Sequence, residues 1–162
     1  YAIFQNAGKS LNSGIEIIMG QDITKMYSMN LNINVYYNQI NAFSVKNLYP
    51  VPNTFSAVQQ KVYSGNIKLN NQFHFTKKLD AQISLVYLAP DIIPQGKIGS
   101  RFSLDVGIKK SVQNGKGEFF INGTDLLNTM RIKKEIIAEN FNYKSADYYE
   151  TQVIRIGYLY KF

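Results

Sequence analysis

Residues 27–38 alternate without a break. Tyr27, Met29, Leu31, Ile33, Val35 and Tyr37 share one parity, and Ser28, Asn30, Asn32, Asn34, Tyr36 and Asn38 share the other. Successive side chains of an extended strand point to opposite faces, so a period of two puts one apolar and one wet environment on either side of this segment. A helix would scatter the same residues around its surface. The last stretch, residues 151–162, repeats the pattern: Ile154, Ile156, Tyr158, Tyr160 and Phe162 alternate with Val153, Arg155, Gly157, Leu159 and Lys161.

Five further segments read the same way. Residues 13–19 set Ile15, Ile17 and Met19 against Gly14, Glu16 and Ile18, with a turn expected over 20–25. Residues 61–76 set Tyr63, Ile67, Leu69, Phe73 and Phe75 against Ser64, Asn66, Lys68, Asn70 and Gln72, with His74 following on the polar parity. After a tight turn over 76–79, the chain returns through Ala81, Ile83, Leu85 and Tyr87. Phe102, Leu104, Val106 and Ile108 then oppose Ser103, Asp105, Gly107 and Lys109. The Gln113-Asn-Gly-Lys-Gly117 stretch suits a hairpin that needs positive φ. A strand over 118–124 meets Asp125-Leu-Leu-Asn128, read as a bend before extension resumes over 130–136. The connections over 42–60 and 89–100 each hold two prolines and show no periodicity, and a last polar connection is expected over 138–146.

The result is an all-β chain: an antiparallel up-and-down meander of about seven long strands whose connections alternate between short and long. That rhythm, with no run of about 18 apolar residues for a transmembrane helix, is the pattern of a transmembrane β-barrel with tight periplasmic turns and longer extracellular loops. Every charge inside a strand core lies on the polar parity, so Glu16, Lys68, Asp105, Lys109 and Arg155 are expected to face the lumen. Tyr27, Phe73, Phe75, Tyr158, Tyr160 and Phe162 fall near the inward strand ends and suit a headgroup-level girdle, with Tyr37, Tyr63 and Tyr87 in the opposite belt.

Bacterial single-chain barrels have an even number of strands, at least about eight. Seven leave two edges that lipid cannot hydrogen-bond. Residues 1–162, which start at Tyr1 without an initiator Met, are therefore expected to be one domain-sized portion of a larger barrel, the remaining strands lying upstream. The less favoured route is an eighth strand from residues 1–7.

Other chemistry is thinly represented. There is no cysteine, hence no disulfide framework or thiolate metal site. The only histidine, His74, has no partners at ligand spacing, so no metal and no cofactor is expected. Glu16, Asp105 and Glu118 lie on different strands and read as wall charges; no enzymatic activity is expected. The net charge of +7 is spread over scattered lysines, which argues for turn and rim charges over a nucleic-acid surface. Ligand contact is sought in the long loops, at Asn47, Tyr49, Asn53 and Phe55 and at Phe141 and Tyr143, since aromatic and amide side chains suit sugars and siderophores.

Four stretches in order, Asn6-Ala-Gly-Lys-Ser10 followed by Gly14-Ile-Glu16, Ser103-Leu-Asp-Val-Gly-Ile-Lys-Lys110, Asp125-Leu-Leu-Asn-Thr129 and Arg155-Ile-Gly-Tyr-Leu-Tyr-Lys-Phe162, cover nearly the whole chain. In these the sequence resembles the C-terminal barrel region of TonB-dependent outer-membrane receptors, especially the subgroup called the outer-membrane-protein β-barrel family. The resemblance implies a barrel of about 22 strands with an N-terminal plug, in the bacterial outer membrane, taking up siderophores, cofactors or glycans. It also implies partners: outer-membrane lipid, the barrel and plug upstream of Tyr1, the barrel-assembly machinery reading the last strand, and TonB through parts this chain lacks. The competing readings are a self-contained small outer-membrane barrel, structural or adhesive, and a soluble β-sandwich that binds glycans. Solubility separates the last of these. The isolated chain should need detergent or lipid to stay monodisperse, and cooperative folding in plain buffer would overturn both membrane readings.

Overall fold

Each alternating segment finds its partner next to it in the chain. The computed structural model describes residues 8–47, 52–138 and 141–162, without the side chains of Asn47, Ala138 and Phe141. In chain order the strands are β1 (Ser10–Thr24), β2 (Tyr27–Ile40), β3 (Phe43–Asn47), β4 (Asn53–Ala57), β5 (Gln60–Thr76), β6 (Leu79–Leu88), β7 (Asp91–Ile93), β8 (Gly96–Ile98), β9 (Arg101–Val112), β10 (Gly117–Thr124), β11 (Ile132–Ala138), β12 (Phe141–Asp147) and β13 (Val153–Tyr160). Seven of them form one antiparallel sheet in the order β1-β2-β5-β6-β9-β10-β13. Its short turns all lie at one rim, at 25–26, 77–78 and 113–116, and its long connections all lie at the other.

Register carries the alternation across the whole sheet. Ile17, Ile33, Ile67, Tyr87 and Phe102 stand in one row, and Met19, Leu31, Leu69, Leu85 and Leu104 in the next. Nearer the short-turn rim, Tyr27, Phe73, Ala81, Ile108, Ile121 and Ile156 continue the same face. The opposite face carries rows such as Asn30, Asn70, Ser84 and Asp105, in which the Ser84 hydroxyl donates to Asn70. A one-residue slip in any strand would exchange the two faces.

Burial is the reverse of a soluble protein's. Among the described residues Ile15, Tyr63 and Ile156 are 72%, 79% and 75% exposed, while Ser64, Ser103 and Asp125 are buried. Large apolar surfaces left bare in this way belong against another apolar phase. A soluble sandwich would have to cover these rows with a second sheet, and none lies over them in the described residues.

The turn over 113–116 needs left-handed backbone at Gln113, Asn114 and Gly115, at φ of 52°, 56° and 90°. Across β10 and β13, the Phe120 ring lies so close over Gly157 that a Cβ there would collide with it, so glycine at 157 makes room for the aromatic.

Five readings need correction. The turn expected over 20–25 is strand as far as Thr24, because β2 supplies hydrogen-bond partners along the whole length of β1. The featureless connections over 42–60 and 89–100 hold the hairpins β3–β4 and β7–β8, short enough that Pro52, Pro90 and Pro94 stay outside the ladders. The extension after the Asp125 bend leaves the main sheet as β11, and most of the supposed polar connection over 138–146 is its partner β12.

That bend is held by one carboxylate. Asp125 is 2% exposed and takes a positive φ of 44°. Its Oδ1 accepts the Thr129 N–H at 3.0 Å; its Oδ2 accepts the Thr151 hydroxyl at 2.6 Å and the Met130 N–H at 3.2 Å. Its own N–H donates to Asp105 Oδ1 at 2.8 Å, which also accepts the Ser103 hydroxyl at 2.6 Å. Burial alone would raise the Asp125 pKa, but the hydrogen bonds from Thr151, Thr129 and Met130 outweigh it and hold the carboxyl below its usual value. Asp125→Ala should cost about 2–4 kcal/mol by stranding these donors, measured by urea unfolding in micelles. Because the folded-state pKa is the lower one, the stabilisation is fully present above about pH 4 and is lost as pH falls through the folded-state value. An Asp125→Asn variant should therefore flatten the acid limb of the wild-type unfolding curve.

Candidate functional site

The rim opposite the short turns is where the long connections gather, and each of them folds into a hairpin. Two of the hairpins join: β8 pairs with β11 through Ile98–Lys134, Lys97–Glu135 and Gly96–Ile136, giving a four-stranded layer β12-β11-β8-β7. The Gly99 N–H donates to the Lys133 carbonyl at 2.8 Å, and the Ile137 N–H to the Gln95 carbonyl at 3.0 Å, extending the junction at both ends. Gly96 is required there, because a Cβ would run into the Glu135 carbonyl oxygen.

The layer is tied back to the polar face of the main sheet by Asp91. Its carboxylate accepts the Tyr36 hydroxyl at 2.7 Å, the Asn38 amide at 2.9 Å and the Ile92 N–H at 2.7 Å. Tyr36 and Asn38 belong to the polar parity of β2, so β7 leans over the wet side of the wall. Ile92 is buried by this arrangement. Ion pairs Lys134–Asp147 and Lys144–Glu135, each at 3.0 Å, run across β11–β12. Pairing with Asp147 raises the Lys134 pKa, and pairing with Lys144 lowers that of Glu135, so both bridges stay charged near neutral pH.

Between the β3–β4 hairpin and this layer is a cleft of about 740 Å³. Phe55, Val58, Ile92 and Pro94 give it an apolar lining, and Lys61 and Lys97 add cationic groups. Its size is that of a small-molecule site, with an apolar body to bury and a few polar groups to orient it.

Of the residues expected to meet ligand, Phe55 lines the cleft, its ring tilted against Phe43 at 6.0 Å. Asn53 lies in β4 opposite Asn47, whose side chain falls outside the described residues, as does all of Tyr49. Tyr143 is exposed on β12 opposite Ile136, away from the cleft, and the side chain of Phe141 is again outside the description. Sequence reasoning missed Asp91, Ile92 and Lys97. The available signal was Asp91-Ile-Ile93 between two prolines, too short for a periodicity argument.

The five wall charges share the polar face. Glu16 accepts the Asn32 amide at 2.7 Å, Lys68 stands between Asn32 and Val86, and Arg155 stands opposite Asn122. Lys109 lies 3.7 Å from Asp80 and 3.9 Å from Glu118, beside a His74–Asp80 contact of 2.6 Å. This group borders a smaller hollow of about 230 Å³ near the short-turn rim. The girdle residues all fall at that rim: Tyr27 stacks on Phe73 at 4.9 Å, Phe73 on Phe75 at 6.0 Å, and Tyr160 meets Phe162 edge-on at 5.3 Å.

Neither a curated protein nor a solved structure matches the chain. A family model does, that of the outer membrane protein beta-barrel family, over residues 1–160. With a one-sided apolar sheet of seven long strands and a match over almost its full length, the chain belongs to the outer membrane protein β-barrel family.

Proposed function

We propose that the chain forms barrel wall and ligand-facing rim in a TonB-dependent-like receptor of the bacterial outer membrane, one that takes up siderophores, cofactors or glycans. The observation that carries this reading is the open sheet. Among the described residues β1 and β13 each have one neighbour, so two edges of backbone donors and acceptors face outward next to apolar side chains. Hydrocarbon gives such edges no partners, and further strands are the ordinary remedy. On this reading the 162 residues are part of a larger barrel, closed by strands of the same protein around a plug, with TonB acting through that plug and the assembly machinery engaging the last strand. Short turns then face the periplasm and the hairpin rim faces outward.

The cleft at the hairpin rim supports the receptor role. Its chemistry suits a ligand with an apolar body and some negative charge. The wall itself has no catalytic task in this scheme: its polar face gives a wet lining, in which Glu16 and Asp105 are hydrogen-bonded and Lys109 lies beside Asp80 and Glu118.

Two measurements test the proposal. An antibody against the β11–β12 hairpin should detect, in outer membranes of the native bacterium, a protein far larger than 162 residues; a mature band at the mass of this chain alone would favour a self-contained small barrel. In the intact protein, Phe55→Ala together with Ile92→Ser should weaken ligand binding about tenfold or more, since each removes an apolar contact from the cleft. Unchanged affinity and uptake would remove the cleft from the mechanism.

A further inference from the structure

The short-turn rim is edged with lysines that have no counter-charge among the described residues. Lys25, Lys77, Lys78, Lys110, Lys116 and Lys161 are all exposed, and none is in an ion pair among the described residues. The Lys161 N–H donates to the Lys116 carbonyl at 2.8 Å and sets these two opposite each other, while the Ser111 N–H donates to the Lys78 carbonyl at 2.8 Å and holds the 77–78 turn against the end of β9, which carries Lys110. The acids of this rim do not offset them. Asp22, Asp80 and Glu118 all have the parity of the polar face, and the last two already meet Lys109.

Position decides what the lysines can meet. Lys110 stands in register between Leu79 and Phe119, on the apolar face itself, and Phe119 packs against Tyr158 at 4.6 Å. The stem of such a lysine lies along apolar surface while its ammonium reaches toward the interface. Aromatic rings end the apolar face at the depth where acyl chains give way to headgroups, and the lysines come immediately beyond them. Lys116 and Lys161, set opposite each other, repel, and an anion between them removes the repulsion.

We propose that this rim is a binding surface for anionic phospholipids, the lysines taking the headgroup phosphate and the Phe119–Tyr158 and Tyr160–Phe162 rings taking the start of the acyl chains. The required partner is a phosphodiester lipid without a compensating headgroup cation, such as phosphatidylglycerol. A zwitterionic phosphatidylcholine presents the same phosphate behind its own positive charge and binds less well. Placing this rim against lipid rests on the family assignment and does not depend on the receptor role.

The test uses the intact protein extracted from membranes, stripped of lipid and exposed to mixed micelles of phosphatidylglycerol and phosphatidylcholine, with retained lipid counted by native mass spectrometry. Wild type should retain phosphatidylglycerol about tenfold over phosphatidylcholine, since each lysine near an anionic interface adds several-fold. Changing Lys78, Lys110, Lys116 and Lys161 together to Gln should bring the ratio close to one, and changing them to Arg should keep it. If the Gln variant does not fold, wild type in 0.5 M salt, roughly a Debye length of 4–5 Å, must lose the preference instead. Millimolar inorganic phosphate, lacking acyl chains, should leave retention unchanged, and displacement by it would overturn the lipid assignment. So would equal retention of the two lipids by wild type, or loss of the preference on changing Lys97, Lys133 and Lys144 at the other rim.

Discussion

A peptide group in hydrocarbon has no water to bond, so every N–H and C=O within the apolar depth of this wall must be answered by a neighbouring strand. That requirement lies behind the long uninterrupted ladders. β1 and β2 keep register from Ser10–Ile40 to Thr24–Tyr27 with a single irregularity near the turn, and β2 and β5 run without one. Each unpaired group would cost several kcal/mol in that setting, more than any one side-chain contact returns. The strands are therefore long because the medium is dry, and the connections leave the ladder only at the two rims.

Once the ladders are fixed, the side chains choose which way the sheet faces. Burying a large apolar side chain contributes about 1.5–3 kcal/mol, and placing a Lys or Arg at the middle of the lipid layer costs about 2–4 kcal/mol. Ile33, Leu31 and Leu69 pull one face toward oil while Lys68 and Arg155 resist being turned into it, so the two faces agree on one register. Polar groups then take over the work of local order. Asp125, buried beneath its hydrogen bonds, fixes the departure of the chain from β10, and Asp91 fixes the return of β7 over the polar side.

What could be read from the sequence follows from these lengths. β2, β5, β6 and β9 are long and one-sided, so Met29, Leu85 and Val106 announce their face through period two alone. The turn at 113–116 is legible because Asn114 and Gly115 are cheap at positive φ. The short strands are another matter. β7 and β8 have three residues each, fewer than any periodicity needs, and β8 is held by β11 from a different connection. β12, with Lys144 and Asp147, reads as solvated loop until Glu135 and Lys134 are set opposite. The bend at Asp125 is visible as a bend, but its partners Thr129, Met130 and Thr151 lie up to 26 residues away along the chain and only the fold gathers them. The cleft is hidden for the same reason, since Phe55 and Ile92 come from separate hairpins.

The union of β8 with β11 sets unequal freedoms at the rim. An insertion in either of those hairpins would have to be matched by the other, or the shared ladder at Gly96–Ile136 would break and Asp91 would lose its hold on β2. The β3–β4 hairpin carries no such debt: among the described residues its ladder is closed on itself. Changes of length and sequence are thus most easily accommodated in the β3–β4 hairpin, where they leave the joined ladders beside it undisturbed.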